Sequence, residues 1–538
     1  MTLTTRMAPW ALAVVLAQNV AAQPQPHAHA PADTLGTVHF ATSCTAALAP
    51  KFDRAVALLH SFEFGESIRA FGEVAGADSS CAMAQWGIAL SRWGNPTSAA
   101  ARATAPLDLG RRAADAASRL GSNATERERL YITAVGELYR DFERVDQRTR
   151  VLAYERAMGD LVVRQPADTE AKIFYALALT ASAPPTDKSY ANQRKAGGIL
   201  EPLWVKQPNH PGLAHYIIHT YDVPALAPNA AAAARRYAMI APSAAHALHM
   251  PSHTFTRVGQ WEASIETNRR SMAAATRSAS LAEVLHASDY AMYAYLQLAQ
   301  DSAAKAMLET LPAIASRFDV NAVTGAAPGS AGVFALAAMP ARYALERDDW
   351  AAAAFLPARA STFPWSDAMT YFARALGAAR LGDTVRARIA TDSLGAIRDR
   401  LAAARETYWA EQVAIQQLGA QAWVELAARR SDRALAGMLE AARREDATEK
   451  SAVTPGPLAP ARELLGDMQM RLQQPGEALA AYRMVLDKEP NRYRSLHGAQ
   501  HAATRVGDRA AARQYATALR TLTARANGPR RANSRAFR

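Results

Sequence analysis

Residues 458–490 read LAPARELLGDMQMRLQQPGEALAAYRMVLDKEP. Two amphipathic stretches, each about a dozen residues long, flank the break Gln473-Gln474-Pro475-Gly476, which is the pattern of a helical hairpin. Gly466 and Ala478 are small enough to let the two helices approach closely. Tyr482 fills the space between them, and Pro490 cannot continue the second helix.

The same alternation of apolar-periodic stretches with short Gly, Pro or Asp breaks runs outward along the chain from about residue 39. Pro208 and Pro242 are 34 residues apart, and Tyr221 and Phe255 repeat the step as aromatic core positions. Ser67, Phe71, Trp86 and Gly87 fit the ruler more loosely, while Trp86, Trp93, Trp204 and Trp261 read as core. Alanine occurs in runs such as Ala230–Ala234 and Ala351–Ala354, and strictly alternating β-branched runs are nearly absent. Alanine is the best helix former and the thinnest side chain, so the fold class is all-α. The spacing of Leu465-Gly466, Ala478, Tyr482 and Pro490 resembles the tetratricopeptide-repeat family. That resemblance implies a right-handed α-solenoid, a superhelix of antiparallel helix hairpins whose concave groove binds a protein or peptide partner. The expected organisation is a helical array over 39–444, a Pro/Gly linker at 445–460, and a C-terminal repeat pair at 461–525. A further break, rich in Gly and Ala, falls at Val320–Gly332.

Residues 1–22 read as a secretory signal: Arg6, the short apolar run Ala8–Ala17, and small residues Val20-Ala21-Ala22 before Gln23. A Pro-rich linker follows at 23–38, with His27 and His29 in it. The apolar run is too short to span a bilayer and no later segment reaches a membrane-spanning run, so an exported, periplasmic or extracellular protein with no membrane span in the mature chain is expected. In an oxidising compartment Cys44 and Cys81 can close a disulfide; two small buried thiols are the alternative. Two cysteines exclude a disulfide scaffold and a Cys-based zinc cluster. The net charge is +12, but Arg alternates with Glu and Asp, as in Glu126-Arg127-Glu128-Arg129. The one dense basic cluster is the tail, 526–538, read as disordered, so no nucleic-acid partner is expected. P-loop, GxGxxG, GxSxG and CxxC motifs are absent, so phosphate and dinucleotide chemistry are not expected.

Of 13 histidines, six fall within residues 210–253. His215 and His219 share a helix face, with Asp222 on the same side. His249 and His253 repeat the pair 34 residues later. The resemblance puts both pairs, Asp222 and His246 at groove-lining positions, with Glu283, His286 and Tyr290 on the same wall one step on. Imidazoles suit Zn, Cu, Fe and Ni. His215, His219, His249, His253 and Asp222 are therefore the candidate ligands of a divalent transition metal (Zn, Cu or Fe), and His246, Glu283, His286 and Tyr290 are candidate ligand-binding residues. A non-metal polar groove and plain structural packing are the other readings. His497 and His501 repeat the spacing without a histidine-bearing neighbour and read as structural. Pro251 either kinks the helix between His249 and His253 or marks its early end at Met250. The leading function is a binding scaffold with a His-rich metal site. The alternative is a metal-dependent hydrolase or oxidoreductase, with Asp222 as a fifth ligand or base and His246, His286 or Tyr290 as proton donor.

Overall fold

A computed structural model describes residues 34–98, 102–358 and 361–527. The expected signal at 1–22, the linker up to residue 33 with His27 and His29, and the basic tail from residue 528 lie outside the described residues.

The described chain is helical throughout, with no strand. Helices such as Trp261–Arg277 and Leu281–Gln297, or Thr384–Ala403 and Thr407–Ala427, pack as neighbours across turns of three residues, which makes them antiparallel. The turns share one construction. A residue at positive φ follows the helix C-cap (Ala279, Ala299, Arg405, Arg429, Gln473), and the next N–H reaches back to the carbonyl five residues earlier. Examples are Ser280 to Ala275, 2.9 Å, and Gln474 to Gln469, 2.9 Å. This is the six-to-one closure of a helix C-terminus, made here mostly without glycine.

Inside the hairpins, small residues face aromatic rings. The Tyr482 ring lies on Gly466, where a Cβ would sit 2.8 Å from it, and a Cβ on Gly87 would come within 2.4 Å of Phe71. Trp86, Trp93 and Trp261 are buried as expected. Trp204 is only half-buried, its ring 5.8 Å from the Arg236 guanidinium, because it lies on the outer flank of Ala191–Lys206. Cys44 and Cys81 are joined by a disulfide, tying the lead-in to the first helices to the N-cap of Ala82–Trp93.

Two stretches read as linkers are packed. Leu35 and Val38 are buried, and the Thr37 N–H donates to Asn209 O, so the folded body begins before residue 39. Residues 445–460 form a strap rather than a tether. Ser451, Val453, Thr454 and Leu458 are buried, and the Arg342 guanidinium donates to the carbonyls of Pro457 and Gly456 at 3.1 and 3.3 Å. Proline and glycine end helices here without freeing the chain, because buried donors take up the carbonyls they leave. The C-terminal hairpins also fold back onto earlier ones: Trp261 Nε1 donates to Asn491 O, and Arg492 to the Tyr293 hydroxyl.

Candidate metal centre

Four helices meet beneath the strap. Pro211–Thr220 carries His215 and His219, and Ala245–His249 carries His246 and His249. Pro251–Arg257 carries His253, and Leu281–Gln297 carries Glu283, His286 and Tyr290. Met250 is α-helical at φ −52° and ψ −35°, so the chain keeps a helical course while hydrogen bonding breaks at Pro251, which lacks an N–H. Spacings of three and four residues then bring the imidazoles onto one inward face. The resemblance implied positions lining a concave groove, and here that lining is enclosed. The six rings are 0–7% exposed, because the strap and the loop before Gly329 close over them.

The imidazoles form two triads, each with donor atoms within 4.8 Å of one another: His215, His219 and His246, and His249, His253 and His286. In the first, His215 Nδ1–H donates to His60 O at 2.6 Å and His246 Nδ1–H to Glu283 Oε1 at 3.2 Å. With Nδ1 protonated, Nε2 of each ring presents a lone pair. Both Nε2 atoms, and that of His219, are buried without a hydrogen-bond partner among the described residues.

In the second triad, His249 Nδ1–H donates to Asn268 Oδ1 at 2.7 Å, and the Asn268 amide is oriented by donating its own N–H to Ser264 O, 2.7 Å. His253 Nδ1–H donates to Asp222 Oδ2, 2.9 Å. Both Nε2 lone pairs therefore face each other, at 3.1 Å. His286 Nδ1 is buried and unpartnered among the described residues. The triads are contiguous, with ring centroids 5.9 Å apart for His246 and His249 and 6.0 Å for His219 and His253.

Burial, reinforced by the neighbouring imidazoles, holds His215, His219 and His286 well below the usual histidine range and His249 down to about 3. Burial lowers His253 too, although Asp222 opposes it. These rings are neutral near pH 7, the form that ligates metals. Asp222 sits well below the carboxylate range: burial works against this, but Lys450, Arg257 and His253 prevail. Burial, with Glu283 nearby, lifts Glu63 to about 8.

The single site expected from His215, His219, His249, His253 and Asp222 is thus divided between two triads, completed by His246 and His286. Asp222 lies outside both triads: its oxygens accept from His253, from Arg257 at 2.8 Å and from Lys450 at 3.3 Å. Glu283 is likewise committed, to His246 and to the Ala327 N–H. Tyr290 Oη donates to strap carbonyls, Ala452 O at 3.2 Å or Thr454 O at 3.1 Å. Sequence reading missed His60, Glu63 and Lys450, which reach the site from distant parts of the chain, and Arg257 and Asn268, which lie close in sequence but whose partners only the fold reveals.

A third cluster, His60, Glu170 and His210, also lies within 4.8 Å. His210 Nδ1 caps its helix by accepting the Leu213 N–H, so Nε2 carries the proton given to Glu170 Oε1 at 2.9 Å. His60 Nε2 pairs with the other Glu170 oxygen, 2.9 Å. All three groups are satisfied, and the cluster serves as a buttress whose His60 carbonyl orients His215. His497 and His501 approach at 3.2 Å on a half-buried helix face, away from the triads.

On the far side of the strap is a cleft of about 560 Å³, lined by Tyr190, Arg257, Trp365, Trp409 and Lys450. The Trp365 and Trp409 rings stack at 4.5 Å. Trp409, Gln412 and Gln416 line it, and Trp409 Nε1, Gln412 Nε2 and Gln416 Oε1 are buried without partners among the described residues.

No family model and no curated protein matches the sequence. Solved structures share the helical course at low overlap. The human IFIT1 dimer with m7Gppp-AAAA has TM-score 0.38 and 10% identity over 90% of this chain and 96% of that one. The APC/C hetero-tetramer Cut9-Hcn1 has TM-score 0.34 and 12% identity over 91% and 89%. Naa15/Naa10 bound to HypK-THB has TM-score 0.22 and 12% identity over 88% and 70%. None reaches 0.5, so the fold rests on the chain's own helix pairing.

Proposed function

We propose that this chain is an exported helical-repeat metalloprotein, binding two transition-metal ions in the paired three-histidine sites. The observation that carries this reading is the 3.1 Å approach of His249 Nε2 to His253 Nε2, with both Nδ1 protons committed to Asn268 and Asp222. Two lone pairs at that distance repel. Around a cation with metal–nitrogen bonds of about 2.0–2.1 Å, tetrahedral ligand edges are roughly 3.3–3.4 Å, so the spacing suits ligands of one ion. The carboxylates and carbonyls behind the rings match the outer-shell partners of metal-bound histidines. The N-terminal signal and the Cys44–Cys81 pair support export.

The test is metal content by mass spectrometry on the full secreted chain, purified without a histidine tag, beside His215→Ala/His249→Ala. Near-stoichiometric metal lost in the double variant supports the reading. Metal-free protein that takes up none of Zn, Cu or Fe refutes it. A second reading, ligand capture in the groove, is favoured by the cleft's unpartnered Trp409, Gln412 and Gln416. On that reading Gln412→Leu/Gln416→Leu abolishes peptide capture by the metal-free protein.

A further inference from the structure

We infer that the paired triads hold two copper(I) ions that jointly bind dioxygen, an inference that rests on the metal reading above. Three observations carry it.

The first is charge. Against the six rings stand the anions Asp222 and Glu283 and the cations Arg257 and Lys450, which sum to zero. Glu63, which accepts the His246 N–H, can add at most one negative charge. Two divalent ions would bring four positive charges into a buried cluster of imidazoles, where uncompensated charge is costly. Two monovalent ions bring half that. Of the metals that imidazole suits, copper has the stable monovalent state, and copper also heads the affinity order of the divalent series.

The second is the donor set. Each triad offers three imidazole nitrogens, and the nearest carboxylates are spent on Nδ1–H groups and cations. Three-coordinate copper(I) needs no further ligand, whereas zinc completes its tetrahedron with a water.

The third is access. With rings 0–7% exposed beneath a packed strap, the reactant must be very small and need no polar escort. Dioxygen is both. The contact of His246 with His249 and of His219 with His253 makes the triads neighbours, so one diatomic molecule can lie between the two ions. In that step each copper(I) gives one electron and becomes copper(II). Dioxygen takes the two electrons and becomes a bridging peroxide, with a bond from oxygen to each copper. No proton or outside reductant is consumed.

The experiment strips the full-length mature chain of metal and titrates it anaerobically with copper(I), and separately with zinc(II), before admitting dioxygen. The expected result is two coppers per chain, uptake of one dioxygen per copper pair, a new near-ultraviolet charge-transfer band, and little electron-paramagnetic signal because the two copper(II) spins couple. His286→Ala is expected to break the pair and make the oxidised copper paramagnetically visible. Should that variant fail to fold by circular dichroism, His219→Gln at the other triad serves the same purpose. Copper(I) that binds but takes up no dioxygen, or oxidises to fully visible isolated copper(II), overturns the inference. Zinc binding in that case leaves the metal reading standing. Binding of neither metal overturns the inference, and failure of iron as well ends the metal reading.

Discussion

Asn268 is the sharpest place to separate a metal centre from a packed histidine core. Its Oδ1 takes the His249 Nδ1 proton at 2.7 Å, and its Nδ2 is held by Ser264 O at 2.7 Å, so it fixes both the tautomer and the aim of the His249 ring. Asn268→Ala removes the acceptor and leaves a buried N–H unsatisfied, a cost of about 1–3 kcal/mol to the metal-free fold. Loss of such an outer partner costs metal affinity about 10–100-fold, or roughly 1.4–2.8 kcal/mol. Asn268→Asp keeps an acceptor for the ring while losing the donor to Ser264, so it should restore most of the affinity without restoring the apo stability. The assay pairs chelator competition for zinc(II) with urea denaturation of the apo protein. If Asn268→Ala and Asn268→Asp lose stability together while affinity stays at the wild-type value in both, His249 is not a ligand and the tautomer argument fails.

Three further outcomes are expected. Glu463 bonds the buried Arg492 through both oxygens at 2.7 and 2.9 Å, so Glu463→Gln should destabilise by about 3–5 kcal/mol, read by thermal melting; a loss under 1 kcal/mol would place the ion pair outside the stabilising set. Gly87→Ala puts a Cβ 2.4 Å from the Phe71 ring, and the overpacking should cost about 1–3 kcal/mol in denaturant titrations; an unchanged midpoint would mean that the hairpin core is loose. Apo stability should fall with acid, because the buried histidines have folded values depressed below the unfolded 6.5. The unfolded chain then binds more protons between pH 6.5 and the folded values, about 3 for His249. A flat stability between pH 7 and pH 5 would show that these rings take up protons in place.

The hairpin repeat was legible because it is written locally: small residues opposite Tyr482, periodic apolar positions and closing prolines recur on a fixed ruler. The doubled histidine pairs were legible for the same reason. What the sequence hid was pairing across the chain. His215 depends on the carbonyl of His60 and Asp222 on Lys450, over separations of 155 and 228 residues that no spacing rule encodes. The strap was misread because proline and glycine report where a helix stops and are silent on whether the carbonyls beyond it find donors such as Arg342. Asp222 was read as a ligand from its place on the helix face; only the tertiary positions of Arg257 and Lys450 show its oxygens already taken.

That a repeat scaffold carries this cluster at all has an energetic consequence. Solenoid stability comes mainly from contacts between adjacent repeats, so one interface can be polar if its neighbours are well packed. The histidine-bearing interface is flanked by such packing, with Phe62 against His215, His219 and His246 on one side and Trp261 against Tyr293 on the other. The unpartnered Nε2 atoms of His215, His219 and His246 are each a buried polar group that a structural core would shed by substitution to leucine or phenylalanine. The carbonyl of His60 and the carboxylates of Glu283 and Asp222 instead hold the rings with their lone pairs inward. Packing alone gives no reason for that orientation, whereas the metal binding proposed above would supply one, because a cation between the rings would use all three lone pairs.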